Sequence, residues 1–286
     1  PALATVPPAN LLRLAKASTR SPVVAECALG PVAGAAATSL AHWPAESVAE
    51  LLLVVATTST GEGQMVSSSS GAKKLFGRVE EVLVPMLAKL EVPILLKVVV
   101  GSGAVASQCR GLLESAAQRA VARLPEMRPD QAMLLTQGAL PLGATHQCVT
   151  KLLAYWAQEL SGVGSGPVGG ADEAKADESR SLPPDDLAHL AMLLSLVAPN
   201  NTVLFQTIGL RLIEGTLRIT DAGRTSLEAA FPGGAGPNFT GKEEFLATVA
   251  ANKKVKKAKV PRGDRSRSRS RETRRRASGE ESGAVR

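Results

Sequence analysis

Residues that carry chemistry are scarce in this chain. Its 286 residues include three cysteines, three histidines, one tyrosine and two tryptophans, and aromatics make up only 3%. Cys27, Cys109 and Cys148 lie 82 and 39 residues apart, a spacing that gives neither a disulfide framework nor a clustered metal site. Each is expected as a buried small hydrophobe in a helical segment. No His-x-x-x-His, His-Glu-x-x-His or Cys-x-x-Cys motif involves His42, His146 or His189, so neither metal nor cofactor is expected. Gly162–Gly170 (GVGSGPVGG) follows a helical segment and lacks the Gly-Lys-Ser/Thr ending of a phosphate loop, which makes it a flexible insertion. Glu80–Glu81 and Asp185–Asp186 are adjacent carboxylates that a helix points apart, and no short motif joins Ser, His and Asp into a nucleophilic set. A non-enzyme without a small-molecule substrate is expected. No run of 18 uncharged apolar residues occurs, so no membrane span is expected; the richest run, Val48–Ala56, contains Glu50. With so few rings, the core must be built from Leu, Val and Ala. Trp43 and the pair Tyr155-Trp156 are expected to pack between helices rather than to stack on bases.

What the chain does have is repetition. Pro8 (PANLLRLAKAS), Pro44 (PAESVAELLLVVA), Pro93 (PILLKVVVGSG), Pro129 (PDQAMLLTQGAL) and Pro184 (PDDLAHLAMLLSLVA) each head an apolar helical segment, at steps of 36, 49, 36 and 55. Proline suits a helix start because its missing N–H has no intrahelical partner there. Acidic residues soon after it, Glu46, Asp130, Asp185 and Asp186, complement the positive end of the helix dipole. Both long steps contain a Gly/Ser-rich insertion, about 61–71 and 162–181, and without them the unit is about 36 residues, the length of a stacked helical repeat. A sixth copy starts at Thr220, again 36 residues on.

Each unit holds a second helix, read at Val23–Leu40, Leu75–Leu90, Val105–Leu124, His146–Leu160 and Val203–Leu217. Phe76, Val79, Val82, Leu83, Met86, Leu87 and Leu90 form one stripe at three-to-four spacing. Pro31 with Gly34, Pro85, Pro141 with Gly143, and Gly209 with Gly215 predict short, irregular helices. Ile94–Val100 is strand-like in composition, but its helical neighbours assign it to a helix. The fold class is therefore all-α, an α-solenoid of five to six helical hairpins of armadillo or HEAT type, with a disordered basic C-terminal tail. Residues 6–231 form the repeats, 232–252 a linker or terminal cap, and 253–286 the tail.

Charge is uneven along the chain. Residues 1–252 carry 19 basic and 22 acidic residues, whereas Lys253–Arg276 carry 13 basic and two acidic. Lys253, Lys254, Lys256, Lys257 and Lys259 precede Arg265, Arg267, Arg269 and Arg271, and then Arg274, Arg275 and Arg276. Such a segment cannot bury enough apolar area to offset its ordering entropy. It can bind phosphates through counterion release, without sequence preference and with strong salt dependence. Ser266, Ser268 and Ser270 alternate with arginine, and Ser278 follows Arg275-Arg276-Ala277. Phosphorylation would largely cancel the local charge. The segment resembles the arginine–serine repeats of splicing-associated proteins, and its lysines resemble a nuclear localisation signal.

Two-helix units with a first helix of the form Pro-x-x-Leu-x-x-Leu resemble organellar RNA-binding repeats. The second helices, with the Leu-Phe-x-x-Val run at Leu75–Leu83 and the Val203-Leu204-Phe205 start, are similar to heptatricopeptide and FAST-kinase-like repeats. They also resemble the armadillo-like domain of a subunit of the kinetoplastid RNA-editing substrate-binding complex. The resemblance implies a non-catalytic scaffold in RNA processing, with RNA and protein partners and a mitochondrial or plastid location. The alternative is an armadillo-like protein-interaction scaffold whose tail serves nuclear targeting or nonspecific RNA contact. Cations at one position per unit would favour the first; Arg13, Lys97, Arg128 and Lys151 do not fall in register, which favours the second. The chain opens on Pro1 rather than Met, which suggests a processed or truncated product whose targeting peptide is out of view.

Overall fold

The computed structural model describes residues 2–58, 69–161, 182–214 and 219–258. Among them are twelve α-helices, six short 3₁₀ turns and no strand. In chain order the helices are α1 (Pro8–Ser18), α2 (Pro22–Ser39), α3 (Ala45–Thr58), α4 (Ser70–Leu83), α5 (Val92–Ala104) and α6 (Arg110–Val121). Then come α7 (Pro129–Ala139), α8 (Gln147–Leu160), α9 (Pro184–Val197), α10 (Thr202–Glu214), α11 (Asp221–Ala230) and α12 (Lys242–Ala258).

The prolines act as helix starts. Pro8, Pro129 and Pro184 are the first residues of their helices, Pro93 is the second residue of α5, and Pro44 immediately precedes α3. Pro44 still supplies the first carbonyl, which accepts from Val48 N–H at 3.1 Å. Side chains cap other starts: Ser69 Oγ accepts from Ala72 N–H at 3.2 Å, and His146 Nδ1 accepts from Cys148 N–H at 3.2 Å.

Odd-numbered helices contact one another in chain order, α1 on α3, then α5, α7, α9 and α11. Even-numbered helices do the same from α2 to α12. Two ranks of helices result, with the apolar faces between them forming one core. Burial repeats with the units. In the even rank Leu75, Leu112, Cys148 and Leu204 are equivalent buried positions at steps of 37, 36 and 56, and Leu83, Ala120, Trp156 and Leu212 keep the same steps. In the odd rank Gly103, Ala139, Leu194 and Ala230 are buried at steps of 36, 55 and 36, the spacings of Pro93, Pro129, Pro184 and Thr220.

Several boundaries differ from those read in the sequence. The helix read as Leu75–Leu90 starts at Ser70 and turns 3₁₀ at Val84–Lys89, because Pro85 has no N–H for an α-helical bond. Ser70 and Gly71 are thus helical and not part of an insertion; 61–68 lies outside the described residues. The helix read as Val105–Leu124 begins only at Arg110, and the one read as Val203–Leu217 ends at Glu214, with 215–218 outside the described residues. Pro31 and Gly34 do not break α2, which runs 18 residues. Pro31 sits on its exposed face, while Leu29, Val32, Ala33 and Ala36 are buried around it, and this burial outweighs one missing bond. Ile94–Val100 is helical. The segment Pro22–His42 is long and apolar enough to cross a membrane by length and composition, though it carries Glu26; here it packs against α1 and α4.

The C-terminal end holds most of the phenylalanine. Phe231 meets Phe205, Phe239 and Phe245 at 6.1, 6.1 and 5.9 Å between centroids, in edge-to-face arrangements. Lys242 Nζ lies 5.7 Å from the centre of the Phe231 ring. This cluster seats α12 on α10, in a region read from sequence only as a linker or cap. Helix α12 runs on to Ala258, so the backbone of 253–258 is helical where a disordered segment was expected to begin. Lys259, the arginines from Arg265 to Arg276 and the serines Ser266, Ser268, Ser270 and Ser278 lie outside the described residues.

Candidate binding groove

An open cavity of about 710 Å³ lies between α2 and α4. Its floor exists because two helices cross there without side chains between them. A Cβ on Gly71 would overlap the carbonyl oxygen of Gly30 and lie 3.0 Å from Gly34 N. Only glycine allows this approach. Beyond the crossing, Gly77 faces open space, with nothing within 4 Å of an added Cβ. Gly34, Ala37 and Gly77 line the groove with apolar surface, and Thr38, Ser69 and Ser70 add hydroxyls.

Charge lines one wall only. Lys73, Lys74, Arg78 and Glu81 project from α4, and the α2 wall contributes no charged residue. Arg78 is paired with Glu81. Lys73 and Lys74 are exposed and make no ion pair among the described residues. Other body cations do have acidic neighbours: Lys16 with Glu50 at 2.6 Å, Arg110 with Glu114 at 2.9 Å, Arg123 with Glu126 at 2.8 Å, and Arg224 with Asp221 at 2.9 Å.

The burial register tests for a phosphate track. Lys73, Arg110 and His146 occupy one position per unit, 37 and 36 residues apart. Arg110 is taken by Glu114, however, and His146 spends Nδ1 on capping α8. Only Lys73 of the three offers an unpaired cation, so the register does not amount to a cationic track.

Aromatic and thiol groups divide sharply by burial. Trp43 is buried, with Nε1 donating to Ser39 Oγ at 3.1 Å, and Trp156 is fully buried. Neither presents a face to a base, as the expectation of packing requires. Burial, reinforced by the charge of Glu159, pushes the Tyr155 phenol up to about 12. Burial, with Glu80 nearby, pushes the Cys109 thiol up to about 12, and burial also raises Cys148. Cys27 corrects the expectation of three buried cysteines: it is exposed, because it lies on the outward face of α2 opposite Ala25 and Leu29. Its exposure and the groove were missed in the sequence, although Gly30-x-x-x-Gly34 in α2 is a signal for close helix approach.

Among the described residues no group of three His, Cys, Asp or Glu side chains could hold a metal ion. The chain matches no family model, no curated protein and no solved structure.

Proposed function

We propose that this chain is a non-catalytic scaffold of RNA metabolism: an α-solenoid of six helical hairpins that presents a basic segment to RNA. The solenoid reading is supported by the two ranks of helices in chain order and by buried positions that recur with the units. The RNA reading is carried by one observation, the division of charge. Residues 1–252 hold 19 basic residues against 22 acidic ones, while Lys253–Arg276 hold 13 basic residues against two acidic ones. A strand of RNA contacting this chain therefore meets its phosphates on the tail, and the contact is electrostatic and indifferent to sequence. The repeats' resemblance to organellar RNA-binding families supports a mitochondrial or plastid location; the arginine–serine dipeptides favour a nuclear location instead. Protein partners belong to this reading as well, since stacked helices offer extended surfaces to them.

The test compares the full chain with a variant in which the twelve tail cations, Lys253 to Lys259 and Arg265 to Arg276, become glutamine. Binding to a labelled single-stranded RNA is followed across a salt series. The unmodified chain should show log K falling steeply with log salt, and the variant should lose most of its affinity and its slope. A variant that binds RNA as tightly as the parent would overturn the assignment of RNA contact to the tail.

A further inference from the structure

We propose that the α2/α4 groove docks an acidic, partly apolar peptide segment of a protein partner. This goes beyond the RNA reading and uses a different surface. The groove has two-sided chemistry. Its floor, Gly34, Ala37 and Gly77, is apolar and has no charge to satisfy, while Lys73 and Lys74 stand on one wall without acidic partners among the described residues. A peptide with small apolar residues facing the floor and carboxylates facing α4 satisfies both sides. A nucleic-acid backbone satisfies only one: its sugars would lie on an apolar floor, and none of the lining residues is an aromatic ring on which a base could stack. The wall from Ser69 to Glu81 extends about 18 Å at the α-helical rise, room for about five residues of extended chain.

The experiment uses the full chain and three fluorescein-labelled probes: a peptide of repeating Glu-Ala-Glu-Leu, the same peptide with Gln for Glu, and an oligouridylate. Two variants report on the groove, because the basic tail also attracts anions. Gly77→Leu fills the open floor without altering charge, and Lys73→Ser with Lys74→Ser removes the cations without filling space. All these positions are exposed, and circular dichroism confirms that each variant is folded. Each variant should weaken the Glu peptide by about tenfold and leave the oligouridylate within about twofold. The Gln peptide should bind the parent weakly. If Gly77→Leu leaves the Glu peptide unaffected, the peptide sits on the tail and the proposal fails. If the oligouridylate weakens in parallel in both variants, the groove is a nucleic-acid surface and the proposal also fails. Neither outcome bears on the glutamine-substituted tail, which tests the RNA reading separately.

Discussion

Trp156 Nε1 donates to Thr136 Oγ1 at 2.9 Å across the α7–α8 hairpin, and both side chains are buried. Thr136 in turn donates to the Ala132 carbonyl at 2.8 Å, so the indole N–H and the hydroxyl satisfy each other inside an apolar core. Replacing Thr136 by Val removes the acceptor and strands a buried N–H, which should cost about 1–3 kcal/mol in urea unfolding. Thr136→Ser keeps the hydroxyl and should cost much less. Equal losses for the two would show that the methyl group, not the hydrogen bond, matters here.

Two glycines on α4 should respond to alanine with opposite signs. At Gly71 the new Cβ meets the Gly30 carbonyl, and the two helices must separate, for a loss of about 1–3 kcal/mol. At Gly77 nothing lies within 4 Å, so alanine only restricts the unfolded chain and should stabilise by about 0.5–1 kcal/mol. Melting curves of the two variants would settle the sign.

Much of this packing was legible in the sequence and some was not. The prolines at 8, 93, 129 and 184 announced helix starts because their chemistry is local, and the 36-residue step survives as a step between buried positions such as Leu194 and Ala230. Gly34 was read as a breaker because propensity sees only its own helix; its role depends on Gly71, 37 residues on in the next helix of the even rank. Cys27 was misplaced for a similar reason. A helix that is apolar all round gives no periodicity from which to choose its outer face. The phenylalanine cluster was missed because Phe205, Phe231, Phe239 and Phe245 share no period.

The only tyrosine provides a direct titration. Absorbance at alkaline pH should show Tyr155 ionising near 12 in the folded chain, and in the usual range near 10 once the chain is unfolded in urea. A phenol raised by burial favours the neutral form in the native state. Its contribution to stability is full below the unfolded value and is lost as pH rises from about 10 to 12. A folded-state midpoint at 10 would mean that the ring is solvated.

Thiol reactivity should divide the cysteines. Cys27 is exposed and should react with Ellman's reagent at pH 8 within the mixing phase of a slow assay. Cys109, held near 12, and Cys148, raised by burial, should react only as the chain unfolds. Release of one thiol equivalent before denaturant and three after it is the expected count.

Phe245 is fully buried at the last helix pair. Phe245→Ala should cost about 3–5 kcal/mol locally. Hydrogen exchange should locate the loss in α10 and α12, with α1 to α6 still protected. Uniform loss of protection would mean that the array unfolds as a single cooperative block rather than from its end.

The even rank advances by 36 residues from α6 to α8 and by 56 from α8 to α10, yet Trp156 and Leu212 land in equivalent buried places. The register of the buried positions is kept across twenty extra residues of sequence. Closing a longer connection costs only about 0.6 kcal/mol per doubling of its length. Such a junction tolerates lengthening, shortening or replacement by a foreign domain while every interhelical contact is kept, so new sequence can be tried there without refolding the rest.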